Sequence, residues 1–289
     1  MLISSGNAQA PEPQYDATGH PILQVGEPFE KIAIDSLAPA AKGSSRPAVI
    51  NGYLLKAKGA GGAPGAVLHP ACEGLLTDDG QVKLKYARMG RYLNAGGFTV
   101  LLVDGFNPRG FREACTDQKT KELDPITRLK DILGGLAYLR SRGDVLGDKI
   151  IMMTWGAAGS LEGMNKATPY YQPLGTGFAG AVMFYPQCDN QDKRFAPYAP
   201  IQVFVGEKDA WNPARHCLAL VKRQEAGSAP FTVKTYPETL HSFDGPVAPR
   251  STTPNPRIGT VMVGNNPGST TDAYRATREF LAKILRPPQ

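Results

Sequence analysis

The stretch Lys149-Ile-Ile-Met-Met-Thr-Trp155-Gly156-Ala-Ala-Gly159-Ser160 decides the fold. An apolar run without alternation reads as a strand buried on both faces, the pattern of a parallel sheet. It ends in a turn of small residues and enters a short helix. The same grammar recurs on either side. Ile32–Leu37, Ala48–Lys56, Ala66–His69, Phe98–Asp104, Phe178–Tyr185, Ile201–Val205 and Phe231–Tyr236 read as strands. Helical spacing covers Gln81–Asn94, and Asp124-Pro125 supplies an N-cap and first-turn proline for a helix running to Arg142. Pro213–Glu225 and Thr271–Leu285 complete the set. Strands alternating with helices predict an α/β chain, with right-handed crossovers, a mostly parallel central sheet and helices on both faces.

The wider composition agrees. With 289 residues, 42% hydrophobic and 20% charged, the chain can bury a large core, which excludes wholesale disorder. No stretch approaches the roughly 20 apolar residues of a membrane helix, so no membrane partner is expected. The net charge of +6 is scattered. Its densest cluster, Lys83, Lys85, Arg88 and Arg91, reads as a solvated helix face, and no nucleic-acid partner is expected. Residues 1–45 are rich in Pro, Gly, Ala and Ser and read as a flexible segment ahead of a single domain over 46–289. Gly245–Ser269, with five prolines, reads as an irregular surface excursion.

Ligands of an open parallel sheet meet the carboxyl ends of its strands. There the chain places His69-Pro-Ala-Cys-Glu-Gly74, Gly105-Phe-Asn-Pro-Arg-Gly110, the turn at Gly156, Gly206-Glu-Lys-Asp-Ala-Trp211 and Pro237-Glu-Thr-Leu-His241-Ser-Phe-Asp244. A sharp strand-to-helix turn, then Asp209, then His241 is the chain order nucleophile, acid, histidine. In such a triad the acid orients the imidazole and supports its positive form, while the imidazole moves the nucleophile's proton. Asp209 read alone could merely cap the next helix, and its order with His241 favours the catalytic role. His20, in the N-terminal segment, His69, shaping a loop, and His216, in a helix, carry weaker signals.

These stretches resemble the dienelactone hydrolase family, and in their cysteines its exported branch. The likeness rests on Gly206–Trp211 with Cys217 beyond it, on Tyr236–Asp244, and on Asp104–Gly110 before Cys115, and it extends from about Leu54 to the C-terminus. The resemblance implies an α/β-hydrolase fold, a small-molecule ester or lactone substrate, no cofactor or metal, and a Ser or Cys nucleophile. It also implies an oxyanion hole built from the backbone N–H of Ala157 and of Ala71 or Cys72. Trp155 and Trp211 adjoin these positions as candidate pocket walls, and Arg109 as a candidate holder of a substrate carboxylate, with core packing and an internal ion pair as the plainer readings.

The chain departs from the family at one place. Where the elbow carries its nucleophile stands Gly156, with no side chain to attack anything, and Ser160 lies a full turn too far along. Two accounts fit. Either a Ser (secondarily a Cys) has been exchanged for Gly, giving an inactive or nearly inactive form, or the protein is a non-catalytic ligand binder on a hydrolase fold. The intact Asp209 and His241 favour the first, because an idle pair drifts. A phosphate or dinucleotide site at Gly156–Ser160 is a third reading, but it lacks G-x-G-x-x-G and the following acid. Pairing of Cys72 with Cys115 and of Cys188 with Cys217 is expected together with export to the periplasm or medium. Ala8-Gln-Ala10 before Pro11 looks like the end of a signal peptide, though Met1–Gln9 lacks an apolar core, and an ordinary cytoplasmic N-terminus reads equally. Oligomeric state has no signal.

Overall fold

The computed structural model describes residues 14–285 apart from 24–27, 42, 60, 117–123, 157–158, 169–176, 190–193 and 255–257. Among the described residues, eight strands form one sheet. In chain order they are β1 (Glu30–Pro39), β2 (Pro47–Leu55), β3 (Ala63–His69), β4 (Thr99–Asp104), β5 (Val145–Trp155), β6 (Gly180–Phe184), β7 (Ile201–Gly206) and β8 (Phe231–Tyr236). Across the sheet the order is β1-β2-β4-β3-β5-β6-β7-β8. The β1–β2 and β2–β4 pairs are antiparallel, and every pair from β4 to β8 is parallel. The uninterrupted apolar runs become the interior strands: every residue of β4 and β6 is buried. Among the described residues, four α-helices pack on the sheet: α1 (Leu84–Ala95), α2 (Pro125–Ser141), α3 (Ala214–Arg223) and α4 (Pro267–Ile284). Asp124 caps α2 by accepting from Thr127 N–H at 2.6 Å, with Pro125 in the first turn.

Glycine is required at the turn after β5. A Cβ on Gly159 would lie 2.3 Å from the Pro125 carbonyl, so only glycine lets α2 approach this closely. Beyond the turn the expected short helix shrinks to a single 3₁₀ turn, Glu162–Met164.

Three expectations need correction. The strand read at Ile32–Leu37 is present as β1, the sheet's edge strand, so residues 30–39 do not belong to the flexible segment drawn over 1–45. Ahead of it His20 is fully buried, its Nε2 2.7 Å from the Asp244 carbonyl. Gly245–Ser269 is also not wholly irregular: β9 (Arg250–Thr252) and β10 (Val261–Val263) form an antiparallel hairpin within it. And α4 begins four residues before Thr271, because Asn266 caps it by accepting from Ser269 N–H at 3.1 Å.

Cys72 is bonded to Cys115 and Cys188 to Cys217, the pairing expected from the sequence. The cross-links join positions 43 and 29 residues apart. Closing loops of that size stabilises a fold by roughly 3–4 kcal/mol each through unfolded-chain entropy. Denatured protein treated with iodoacetamide should gain no mass, and four carbamidomethyl groups after reduction. Label taken up before reduction would refute the pairing. Among the described residues, no helix is long and apolar enough to cross a membrane.

Candidate active site

The carboxyl ends of β3, β5, β6, β7 and β8 surround a cavity of about 790 Å³. Asp209, following β7, is buried. Its Oδ1 accepts the backbone N–H groups of Trp211 (2.9 Å) and Asn212 (2.7 Å). Its Oδ2 lies 2.8 Å from His241 Nδ1, on the loop after β8. One carboxylate oxygen thus fixes the turn and the other fixes the imidazole. Two aromatic rings bound that imidazole: Trp211, stacked at 4.7 Å and 24°, and Tyr185, tilted at 4.4 Å. Asn212 closes the frame by donating through Nδ2 to the Tyr185 carbonyl at 2.7 Å. Gly264 N–H donates to the His241 carbonyl at 3.0 Å, so the residue after β10 also braces this loop.

Gly156 and His241 line the same cavity. Gly156 has φ +52°, a left-handed conformation that costs glycine nothing. A Cβ built there would meet Tyr185, Ala71 and Asn212 at 3.7, 3.8 and 3.9 Å, ordinary contact distances. Ser160 is buried away from the opening, its Oγ 3.8 Å from Met183 Sδ. Ala157 lies outside the described residues. Of the two alternatives for the other backbone donor, Ala71 is already engaged, giving its N–H to Tyr86 Oη at 2.9 Å. Cys72 stands on the cavity wall, and its carbonyl is tied to Ala114 N–H at 2.6 Å.

Two pocket candidates are corrected. Trp155 is fully buried, stacked on Phe184 at 5.5 Å, with Nε1 donating to Asp244 Oδ2 at 2.6 Å. Arg109 is consumed internally. Its Nη1 donates to the Gly105 carbonyl (2.6 Å) and to Asp131 Oδ2 (2.8 Å), and its Nη2 to Asp131 Oδ1 (2.8 Å). Asp131 is wholly buried and also accepts from Ser36 Oγ at 2.5 Å. Removing one partner of such a pair strands a buried charge, so Arg109→Ala should lower stability by about 3–5 kcal/mol. Urea unfolding reads that loss; a change under 1 kcal/mol would sink this assignment.

A second polar cluster was not visible in the sequence. Lys85, expected on a solvated face, is buried and lies 2.5 Å from Glu73 Oε1. Burial raises the Glu73 carboxyl, but the Lys85 charge and the hydrogen bonds from Lys85 and Tyr86 outweigh it and bring it down to about 2. Arg128 is buried beneath the His69–Cys72 loop, donating through Nη2 to the Pro70 carbonyl at 3.0 Å. Burial pulls its guanidinium down to about 10. Burial, then the Arg128 charge, holds the His69 imidazole well below its ordinary value, which removes it as a proton carrier. Tyr185 had one available signal: it stands at the carboxyl end of an apolar run, where sites form. Among the described residues, the cluster suited to a metal is Cys72, Glu73 and Cys115, and its two sulfurs are spent on each other.

The dienelactone hydrolase family model matches residues 50–285, most of the chain. The chain belongs to the dienelactone hydrolase family. Among curated relatives, a probable 2-oxo-3-(5-oxofuran-2-ylidene)propanoate lactonase of Bradyrhizobium sp is 25% identical over 223 residues, covering 74% of this chain and 85% of the relative. Solved structures share the fold, among them the following two. A dienelactone hydrolase-like promiscuous phosphotriesterase, P91 from metagenomic libraries, has a TM-score of 0.62 at 15% identity, covering 89% of this chain and 99% of the other. The propionate-bound esterase 2 of Thermogutta terrifontis has a TM-score of 0.60 at 13% identity, covering 89% and 96%. Membership in this family supports hydrolysis of esters or lactones as the chemistry for which the site is built.

Proposed function

We propose that this site is that of a carboxylic ester or lactone hydrolase with a nucleophile–Asp209–His241 triad, and that Gly156 leaves the present form inactive or nearly so. The observation that carries this reading is the buried 2.8 Å His241–Asp209 pair opening into the cavity that Gly156 lines. With Ser at position 156, the hydroxyl oxygen attacks the substrate carbonyl while His241 Nε2 takes its proton, and Asp209 supports the resulting imidazolium. The carbonyl oxygen, now negative, is met by the backbone N–H of Cys72 and of Ala157. Collapse expels the alkoxide, which leaves with the proton from His241. Water then hydrolyses the acyl-enzyme by the same path. The name of the Bradyrhizobium relative supports a lactone and the Thermogutta neighbour an ester. The two disulfides support an exported location, and the strand order supports a single domain.

A fluorophosphonate tests the roles directly, because it bonds covalently to an activated serine oxygen with loss of fluoride. The Gly156→Ser protein should carry one adduct at position 156 by peptide mass spectrometry, and the unsubstituted chain none there. A folded Gly156→Ser protein that neither labels nor hydrolyses esters would leave the ligand-binding account standing instead.

A further inference from the structure

The Lys85 ammonium has three protons and three acceptors, each on a different segment around the cavity. Glu73 Oε1, on the loop after β3, lies at 2.5 Å; Tyr185 Oη, after β6, at 3.3 Å; Ser242 Oγ, after β8, at 3.4 Å. Each acceptor is tied to the site. Glu73 accepts from Tyr86 Oη at 2.6 Å, and Tyr86 Oη in turn accepts from Ala71 N–H, so the Ala71–Cys72 loop is anchored through this carboxylate. Tyr185 packs its ring against His241 and donates its hydroxyl to Asp244 Oδ1 at 2.8 Å. Ser242 adjoins His241 in the chain.

The backbone marks the same places. Tyr185 (φ +39°) and Ser242 (φ +59°) are, with Glu238, the non-glycine residues in left-handed conformations among those described. Strained conformations persist where surrounding contacts over-determine them, and both hydroxyls here accept from the same buried ammonium.

We infer that Lys85 is a positioning residue: its ammonium holds the His241 imidazole in register with the Ala71–Cys72 loop. The inference rests on reading His241 as the base of the site. With all three N–H groups engaged, Lys85 acts through these neighbours and not by binding a substrate anion.

Two measurements test it, and the first needs no activity. In the chain as it stands, the proton between His241 Nδ1 and Asp209 should give a far-downfield NMR resonance, assigned by its loss in His241→Ala. Tyr185→Phe and Ser242→Ala each remove one strut while keeping the Lys85–Glu73 pair, and each should shift or broaden that resonance. The second measurement is kinetic, in the Gly156→Ser background. Misplacing a reacting group by about 1 Å costs roughly 100-fold, so Lys85→Met should lower kcat by about that factor with KM nearly unchanged. Tyr185→Phe and Ser242→Ala should each lower kcat by about 10-fold, and Lys85→Arg should recover most of the Lys85→Met loss. An unmoved resonance in both strut variants overturns the inference. So does a rise in KM at constant kcat, which would make the ammonium a substrate contact. If Gly156→Ser shows no hydrolysis, the proposed function fails and the resonance alone decides; if Lys85→Met does not fold, the strut variants decide.

Discussion

Replacing Gly156 by Ser should raise the hydrolysis of p-nitrophenyl esters by about 10⁴- to 10⁶-fold, the range by which removing a serine nucleophile silences comparable sites. Three features set this expectation. Space is available, since a Cβ at 156 meets its nearest neighbours at 3.7–3.9 Å. The rest of the proton path is in place, with His241 2.8 Å from Asp209. And the cost is small beside the gain: a serine at φ +52° loses about 1–3 kcal/mol of stability to left-handed strain, whereas four decades of rate correspond to about 5.5 kcal/mol of barrier. Gly156→Ala supplies the control, because it carries the same strain and no hydroxyl. It should fall in stability with Gly156→Ser and gain no activity. Equal rates in the two variants would refute a nucleophile at this position.

Asp209→Asn, made in the Gly156→Ser background, should remove about 10⁴-fold of that restored rate, the loss known for an acid-to-amide change in a serine triad. The direction follows from the hydrogen bonds around the carboxylate. Oδ1 accepts two backbone N–H groups, from Trp211 and Asn212. An asparagine here must keep its carbonyl oxygen toward those donors, which turns its NH₂ toward His241. His241 Nδ1 must then accept, so the imidazole proton moves to Nε2, the atom that has to take the proton from serine. Fold and substrate binding are retained, so the loss should appear in kcat with KM within a few-fold. A loss below 10-fold would mean that Asp209 only caps its turn.

Much of the architecture was legible because buried strands leave a plain trace. Runs such as Phe98–Asp104 and Lys149–Trp155 are apolar throughout, and Asp209 and His241 follow the later strand readings Ile201–Val205 and Phe231–Tyr236, at the sheet end where ligands meet. What stayed hidden depends on which way a side chain faces at a strand end. Trp155 and Trp211 both adjoin site positions; the first turns into the core against Phe184 and the second onto His241. Charges misled for a related reason. Arg109 finds Asp131 across 22 residues and Lys85 finds Tyr185 across 100, and nothing local announces partners so distant. The caps of α2 and α4 are chemically alike, Asp124-Pro125 and Asn266-Pro267. Only the first stands out in the sequence, because the second follows a proline-rich stretch with the composition of a loop.

The segment around His20 has a consequence for the order in which the molecule is built. Besides the His20–Asp244 bond, the Thr18 carbonyl accepts from Asn265 Nδ2 at 3.0 Å, and the Gly19 carbonyl from Thr271 Oγ1 at 3.2 Å. These contacts span 224 to 252 residues of chain. During synthesis from the N-terminus, at about 5–20 residues per second, residues 18–20 leave the ribosome roughly 10–50 seconds before these three partners exist. The parallel strands and α2 can assemble in that interval, while the loop holding His241 waits for α4, whose Thr270 Oγ1 donates to the Phe243 carbonyl at 2.8 Å. Residues 18–20 are therefore made early and lock late, and the loop after β8 gains these contacts only when residues 244–271 have followed.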